Sequence, residues 1–365
     1  MTENFNIKSF LRSAVASGAS DEHLKEGLVP YLRLNGFIKK TNLPILTNDD
    51  MEKSLKEILP SNIKDSFHTK SDLDFMYELE NCSRFRINYN RQMGKHALVI
   101  RNIPYTISTL ENLELPSILN KITEYQNGIV FITGPTGCGK STTLASLINK
   151  IGNKHAKHII TIEDPIEYIF NSTKSIISQR VVGTDTESFS NGAKYALRQD
   201  PDIIFIGEIR DKETMEVALK AAETGHLVFT TLHTNDAVQT INRVVNMFDE
   251  SNRFLVRKQL AETLRATIAQ KLVYSEEKQK RYPACEVLVS TSTIKDYIIK
   301  DNTEEIYELI KNNKIEDMIT MNLSLAKLVS EGLITEEEAL LNSNDKEELQ
   351  KIFRGIYQGT RAYYE

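Results

Sequence analysis

The stretch Gly128-Ile-Val-Phe-Ile-Thr-Gly-Pro-Thr-Gly-Cys-Gly-Lys-Ser-Thr-Thr-Leu-Ala-Ser-Leu-Ile148 decides the fold class of this chain. Its first six residues form an apolar run typical of a buried strand, and residues 142–148 have the pattern of a helix. Between them, residues 134–141 have the spacing Gly-x-x-x-x-Gly-Lys-Ser, in which glycines let backbone N–H groups turn toward phosphate oxygens. Because strand and helix both flank the loop, the segment predicts a nucleotide site and not a glycine-rich turn with a chance Lys-Ser pair.

The loop residues have separate expected roles. Lys140 is expected to hold the β- and γ-phosphates of ATP, and the hydroxyl of Ser141 is expected to ligate Mg²⁺. The residues expected to bind the nucleotide are Gly134, Pro135, Thr136, Gly137, Cys138, Gly139, Lys140, Ser141 and Thr142. ATP and Mg²⁺ are therefore the predicted ligands.

Length and composition exclude several classes of protein. With 365 residues the chain is long enough for about two domains, and its net charge of −5 argues against a protein that coats nucleic acid. The three cysteines, Cys82, Cys138 and Cys285, match neither a disulfide framework nor a metal-binding Cys-x-x-Cys pair, which fits a reducing cytosol. No apolar run approaches the ~20 residues that a bilayer span needs, so membrane association is expected only through a partner.

The hydrophobic pattern changes along the chain and predicts an α/β protein with a small α+β domain in front. Residues 104–113 are expected to be a linker. Before it, residues 1–103 are predicted to combine helices at residues 5–16 and 49–59 with strands at residues 28–34, 72–78, 84–89 and 97–103. In residues 114–275, short apolar runs alternate with helices, which predicts a mostly parallel sheet covered on both faces. After Arg253 the chain is expected to turn mainly helical, so residues 276–365 are predicted as a helical region, with a capping box at residues 335–338.

Acidic residues follow two of the apolar runs. Glu208 comes just after the strand pattern of residues 203–206, and Glu163 ends the run that begins at His158. Carboxyl ends of parallel strands share one edge, so both side chains are expected near the phosphate loop. We expect Glu208 to orient the water that attacks the γ-phosphate and Glu163 to support it. Solvated strand-to-helix connections are the alternative for each.

Two histidines, His226 and His233, bracket the apolar run at residues 227–232. Their odd separation sends the side chains to opposite faces and opposite ends of the strand, which disfavours a shared zinc ion. His233 is expected to reach the γ-phosphate and to respond to its hydrolysis. For His226, capping of the preceding helix is as good an interpretation as a functional role.

Basic residues crowd one region of the small domain, among them Arg84, Arg86 and Arg101. A solvated sheet face would explain them in isolation. With a nucleotide site on the same chain, Arg84, Arg86 or Arg101 is expected to stabilise the γ-phosphate bound to a neighbouring copy.

Several segments together resemble the Walker A, Asp-box, Walker B and His-box motifs of secretion ATPases, the hexameric motors of type II secretion and type IV pili. These segments are the phosphate loop at residues 134–143, Ile162-Glu-Asp-Pro-Ile-Glu167, Asp200-Pro-Asp-Ile-Ile204 with Gly207-Glu-Ile-Arg-Asp211, and residues 224–234. Further segments are most similar to the pilus retraction ATPases of the PilT family: Arg84-Phe-Arg-Ile-Asn88, Arg101-Asn-Ile-Pro104 and Gly332-Leu-Ile-Thr-Glu-Glu-Glu-Ala339. The resemblance implies a PAS-like amino-terminal domain and a RecA-like core with nucleotide bound between them.

The resemblance also implies a function and partners: a cytoplasmic homohexamer that hydrolyses ATP on an inner-membrane platform protein to retract a type IV pilus. The zinc-binding cysteine tetrad usual in pilus-extension and type II secretion relatives is absent, which favours the retraction branch. The family's Ala-Ile-Arg-Asn-Leu-Ile-Arg-Glu motif appears only as Ser292-Thr-Ile-Lys-Asp-Tyr-Ile-Ile-Lys300. An accessory PilU-like paralogue, an ATPase of a type II secretion or competence pseudopilus and, more remotely, a nucleic-acid motor therefore stay open as alternatives.

Overall fold

The computed structural model describes residues 5–61, 64, 69–103, 105–312 and 318–355. Its contacts divide the chain into two units, Met1–Thr106 (the first unit) and Ile107–Glu365 (the second unit). Pro104, which belongs to the predicted linker, lies outside the described residues, as do residues 1–4 and 356–365 of the outermost predicted regions.

The first unit is a six-stranded antiparallel sheet with two helices on one face. Its helices are α1 (Ile7–Ala16) and α2 (Asn48–Ile58), and its strands are β1 (Asp21–Lys25), β2 (Tyr31–Leu34), β3 (Phe37–Lys40), β4 (Asp72–Leu79), β5 (Ser83–Gln92) and β6 (Lys95–Ile103). The strands lie in the order β3-β2-β1-β6-β5-β4. The sequence pattern predicts both helices and four of these strands, but it misses β1 and β3, which are short.

Alternation along the strands explains why this sheet has one covered face. In β5, Phe85, Ile87 and Tyr89 are fully buried, whereas the residues between them are half-buried. The buried set packs with apolar residues of α1 and α2 in one core. Side-chain caps start both helices, since Asn6 accepts from Ser9 N and Thr47 forms a capping box with Asp50. The opposite face of the sheet is consequently left to polar side chains.

The second unit is built on a seven-stranded sheet in the order β13-β12-β7-β11-β10-β8-β9. Its strands are β7 (Gly128–Thr133), β8 (His158–Glu163), β9 (Ile176–Val181), β10 (Ile203–Ile206), β11 (Leu227–Leu232), β12 (Leu264–Ser275) and β13 (Lys280–Val289). All neighbouring pairs are parallel except β12 and β13. The predicted α/β fold class with a mostly parallel sheet is confirmed.

Helices cover both faces of this sheet. They are α3 (Ile118–Ile122), α4 (Lys140–Lys154), α5 (Phe189–Ala196), α6 (Lys212–Glu223), α7 (Ala237–Asn246), α8 (Glu250–Thr263), α9 (Ser292–Lys300) and α10 (Glu304–Lys311). Alternate residues of one strand enter two separate cores: Ile129 and Phe131 pack beside α5 to α10, while Val130 and Ile132 pack beside α3 and α4. Because both faces are covered, the strands read as continuous apolar runs, which is why the sequence locates β7, β8, β10 and β11.

The expectation that the chain turns mainly helical after Arg253 is wrong for residues 264–289. That segment is the antiparallel hairpin β12–β13, which forms one edge of the sheet, with β12 paired to β7. Helices follow as expected: α11 (Met321–Ser330), α12 (Glu336–Asn342) and α13 (Lys346–Phe353). The capping box between Thr335 and Glu338 at the start of α12 is confirmed. Among the described residues, no helix combines the length and the apolar character needed to cross a bilayer.

Candidate functional site

The phosphate loop, residues 134–141, joins the end of β7 to the start of α4. Its glycines Gly134, Gly137 and Gly139 all have positive φ, at 139°, 81° and 92°. A Cβ on Gly134 would lie 2.3 Å from the backbone oxygen of Gln270, and a Cβ on Gly139 would lie 2.9 Å from Nε2 of the same residue. Gly137 faces open space. The loop is therefore packed on the sheet side and open on the other side, as a phosphate cradle requires.

Lys140 folds over this loop. Its Nζ donates hydrogen bonds to the backbone oxygens of Gly134, at 2.8 Å, and Pro135, at 3.0 Å. Burial lowers the pKa of Lys140, while the nearby carboxylates of Glu208 and Glu167 act in the opposite direction. A half-buried ammonium that shares its surroundings with acidic groups is suited to binding phosphate as a point charge.

The start of α4 has the properties of an anion site. Its N-cap is Gly139, so no side chain caps the first turn, and the helix is 15 residues long. Ser141, the second helical residue, is exposed, as are Pro135 and Thr136 in the loop. The hydroxyl of Ser141 is an oxygen ligand of the kind that Mg²⁺ takes, so this start of α4 fits a magnesium-bound nucleotide.

Gln270 on β12 supports the phosphate loop from the side of the sheet, a role that the sequence pattern does not predict. Its side chain is buried and bonded at both ends: Nε2 donates to the backbone oxygen of Cys138 at 2.7 Å, and Oε1 accepts from Thr143 Oγ1 at 2.8 Å. One amide thus joins the loop to the first turn of α4. A single glutamine in a segment expected to be helical carried no signal of this role.

Glu208 follows β10 at the edge where β7, β8, β10 and β11 end, which we call the phosphate edge. Its side chain is 17% exposed and pairs with Arg210 Nη2 at 2.5 Å, while His233 Nε2 lies 3.6 Å from its other oxygen. Neighbouring bonds fix the backbone, since Gly207 N donates to the strand beside it and Gly207 O accepts from Thr231 Oγ1 at 2.7 Å. Glu208 and His233 therefore meet at one position, although 25 residues separate them in sequence.

Glu163 ends β8 at the same edge and is almost fully buried. Its Oε1 accepts hydrogen bonds from Thr161 Oγ1 at 2.6 Å and from Gln179 Nε2 at 3.1 Å. Gln179 also donates to the backbone oxygen of Tyr168, whose hydroxyl contacts Thr142 of α4 at 3.1 Å. Burial raises the pKa of Glu163 in spite of these hydrogen bonds. The carboxyl group is thus held rigidly and shielded from water.

The two histidines lie at opposite ends of β11. His226 Nδ1 lies 3.0 Å from the backbone oxygen of Ala221 and 3.2 Å from Thr224 Oγ1, at the end of α6. These contacts correspond to the capping interpretation of His226. His233 lies at the phosphate edge and is about half exposed.

The three predicted arginines lie on the polar face of the first unit's sheet, which we call the arginine face. Arg86 is directly opposite Arg101 across β5 and β6, and Arg84 is opposite Glu78. Arg101 Nε donates to Asp21 Oδ1 at 2.9 Å. Among the described residues, no partner is found for the buried Nη1 of Arg84. The predicted site residues thus form two groups, one at the phosphate edge of the second unit and one on the arginine face of the first.

The sequence of this chain is similar to a known protein family and to proteins of pilus motility. The family model described as type II/IV secretion system protein matches residues 71–353. A twitching motility protein of Neisseria gonorrhoeae is 38% identical over 346 residues, covering 94% of this chain and 92% of its own length. The type IV pilus retraction ATPase PilT of Pseudomonas aeruginosa is 39% identical over 335 residues, covering 92% of this chain and 97% of its own length.

A solved structure agrees with the sequence relatives. The crystal structure of the pilus retraction motor PilT with bound ADP has a TM-score of 0.86 to this chain at 40% identity. The match covers 95% of this chain and 99% of the motor. Sequence and fold are therefore both similar to this motor along nearly the whole chain.

Proposed function

The chain belongs to the type II/IV secretion system protein family, as a PilT-type ATPase, and from this premise we propose that it hydrolyses ATP to power retraction of a type IV pilus. One observation carries the proposal: a phosphate loop, an acidic residue and a histidine converge at one sheet edge in a chain similar throughout to a retraction motor. The fold and the site both suit a motor that couples nucleotide turnover to movement.

The proposed roles at the phosphate edge follow from position and chemistry. Lys140 and the backbone of residues 134–141 bind the phosphates, and Glu208 takes the proton of the attacking water. Glu208 suits this role because it emerges at the edge with a partly exposed carboxylate. His233 responds to loss of the γ-phosphate through its contact with Glu208, and the buried Glu163 holds the side chains of Thr161 and Gln179 in place.

Mg²⁺ is the proposed metal, with Ser141 as its protein ligand. When bound, it would neutralise charge on the β- and γ-phosphates. The residues of this chain would then have three roles: they bind the phosphates, exclude bulk water on the sheet side, and hold the general base Glu208 at the end of its strand.

The arginine face is proposed to act on a second copy of the chain. Arg84, Arg86 and Arg101 carry fixed positive charge and planar donors suited to a γ-phosphate in its transition state. A homohexameric ring would give each nucleotide an arginine donor from a neighbour. Each subunit is proposed to consist of an amino-terminal domain (residues 1–103), a linker (104–113), an ATPase core (114–275) and a carboxyl-terminal region (276–365).

The proposed cellular setting is the cytoplasmic side of the inner membrane, where the ring would act on a platform protein of the pilus machine. Attachment through a protein partner agrees with the lack of a membrane-crossing helix among the described residues. Nucleic acid is not a proposed partner.

Deletion and complementation in the host bacterium test the proposal. We expect the deletion strain to keep surface pili but to lose twitching, and we expect the wild-type gene but not Lys140→Ala to restore it. Normal twitching in the deletion strain would refute a primary retraction role, and a loss of secretion or DNA uptake instead would indicate a pseudopilus. ATP turnover stimulated by DNA or RNA in the purified protein would indicate a nucleic-acid motor.

A further inference from the structure

Glu286 on β13 lies between the first residues of two helices from distant parts of the chain. Its side chain is buried, and each of its oxygens faces a backbone N–H. Oε1 accepts from Ala237 N, at the start of α7, at 2.8 Å, and Oε2 accepts from Met321 N, at the start of α11, at 3.4 Å. One carboxylate therefore joins the two helix starts.

The contacts at both helix starts are energetically significant. A carboxylate near a helix N-terminus interacts favourably with the helix dipole, and a buried N–H left without a partner is costly. The charges around Glu286 are Asp236 on the α7 side, Glu348 of α13 and Lys271 of β12. Burial raises the pKa of Glu286 to about 7, with Asp236 and Glu348 adding to the effect. Each oxygen of this buried side chain accepts from one backbone N–H, so both helix starts have Glu286 as their acceptor.

The α7 side of this contact leads directly to the phosphate edge. Ala237 follows the short connection that begins with His233, whose Nε2 lies 3.6 Å from Glu208. The connection is tied to the helix that it precedes, because Thr234 Oγ1 contacts Thr240 Oγ1 of α7 at 2.7 Å. A shift of the backbone at His233 is therefore expected to move the start of α7 relative to Glu286.

The α11 side leads into the carboxyl-terminal helices. Asn322, next to Met321, donates to Glu348 Oε2 at 2.6 Å and to the backbone oxygen of Asp345 at 3.0 Å. Glu348 also accepts from Tyr307 of α10 at 2.6 Å. A continuous set of buried and partly buried polar contacts thus runs from the start of α11 to α13 and α10.

We propose that Glu286 is a positioning residue that couples the His233 connection to the carboxyl-terminal helices, so that events at the phosphate edge and the placement of α11 depend on each other. The proposal rests on the proposed roles of Glu208 and His233. Coupling follows from the geometry, because the same carboxylate serves as acceptor for both helix starts and cannot follow one without leaving the other.

Glu286→Gln in the full chain tests the coupling, because glutamine keeps the shape but has only one acceptor oxygen. We expect kcat for ATP to fall by about tenfold with KM little changed. Hydrogen exchange should become about fivefold faster at the first amide of α7 or of α11, whichever one faces the NH2 group of the glutamine. Glu277→Gln is the matched control, because Glu277 lies in the turn of the same hairpin and is 73% exposed.

Two outcomes would overturn the inference in distinguishable ways. If Glu286→Gln keeps the wild-type kcat while Glu208→Gln loses turnover, Glu286 has only a structural role and the proposed function stands. If Glu208→Gln itself turns over normally, the assigned site fails and the inference fails with it.

The unmodified protein provides a second test that does not depend on folding of a variant. Hydrogen exchange is compared with ADP and with a non-hydrolysable ATP analogue. Exchange at the starts of α7 and α11 should change together. A change confined to α7 would overturn the coupling.

Discussion

The two sheets of this protein carry charge in different ways. The seven-stranded sheet buries both faces, and the ionisable groups of the candidate site lie at its phosphate edge, where backbone hydrogen bonds and buried amides hold them. The six-stranded sheet buries one face, so its charges stand on the arginine face as partly exposed side chains. The backbone therefore fixes the position of the charged side chains at the phosphate edge, whereas ion pairs fix the position of those on the arginine face.

The difference indicates how each set of residues can contribute. Groups at the edge are preorganised, and electrostatic contributions to catalysis depend on such preorganisation. Arg101 is 53% exposed although its partner Asp21 is buried, so water reaches the guanidinium and screens this ion pair in part. The arginine face is thus free to exchange its partners for an anionic ligand.

The sharpest test of the edge is Glu208→Gln. We expect kcat for ATP to fall about a thousandfold, because the amide cannot accept the proton of the attacking water. Nucleotide affinity, measured with a fluorescent analogue, should stay near the wild-type value. Glu213→Gln on the exposed side of α6 serves as control, and near-normal phosphate release by Glu208→Gln would remove that residue from the base role.

Arg101→Ala tests the face. We expect a loss of about a hundredfold in kcat, with unchanged nucleotide affinity, because the guanidinium would act only on the developing charge. Arg33→Ala is the matched control, since Arg33 also pairs with Asp21, at 3.7 Å. Equal losses in the two variants would attribute the effect to Asp21 and its surroundings, and contradict a specific role for Arg101.

Gln270→Leu tests whether buried amides hold the edge in place. It removes the acceptor of Thr143 and the donor to Cys138 O, so we expect the free energy of unfolding to fall by about 2 kcal/mol. The KM for ATP should rise because the loop loses its support. Denaturant titration and steady-state kinetics measure the two effects, with Gln259→Leu on α8 as control. A lower free energy of unfolding with an unchanged KM would contradict the expectation that Gln270 supports nucleotide binding by the loop.

Glu22→Gln tests the smallest expected effect, which comes from an acidic side chain buried beneath the arginine face. Burial raises the pKa of Glu22 from 4.5 to about 8, and Asn102 donates to its Oε1 at 2.7 Å. The folded chain keeps a proton that the unfolded chain loses, so the stability from this group is present below pH 4.5 and is lost as pH rises to about 8. We expect Glu22→Gln, but not Glu80→Gln, to flatten this decline in melting curves. An unchanged pH dependence would contradict the assigned burial.

Much of the fold could be predicted from the sequence because the parallel strands are buried on both faces. Residues 203–206 and 227–232 are apolar runs with turn signals on either side, and they coincide with β10 and β11. The hairpin β12–β13 was missed for a physical reason. Its turn contains neither glycine nor proline, and Gln270 and Lys271 interrupt the apolar pattern of β12, so tertiary contacts override the local preference.

The candidate site divides in the same way. The phosphate loop, Glu208, Glu163 and His233 are recognisable because each directly follows an apolar run, and strand ends in a parallel sheet share one edge. The roles of Gln270 and Glu286 cannot be recognised from the sequence. The partners of Gln270 lie more than a hundred residues away in the chain, and the partners of Glu286 lie on two separate helices.

By itself, the sequence determined the order of strands and helices around a nucleotide loop, since hydrophobic period and glycine spacing are local properties of the chain. Only the tertiary structure decided which buried polar groups support that loop and which carboxylate joins α7 to α11. Hydrogen bonds between distant segments depend on distances of a few ångströms that exist only after the sheet has assembled.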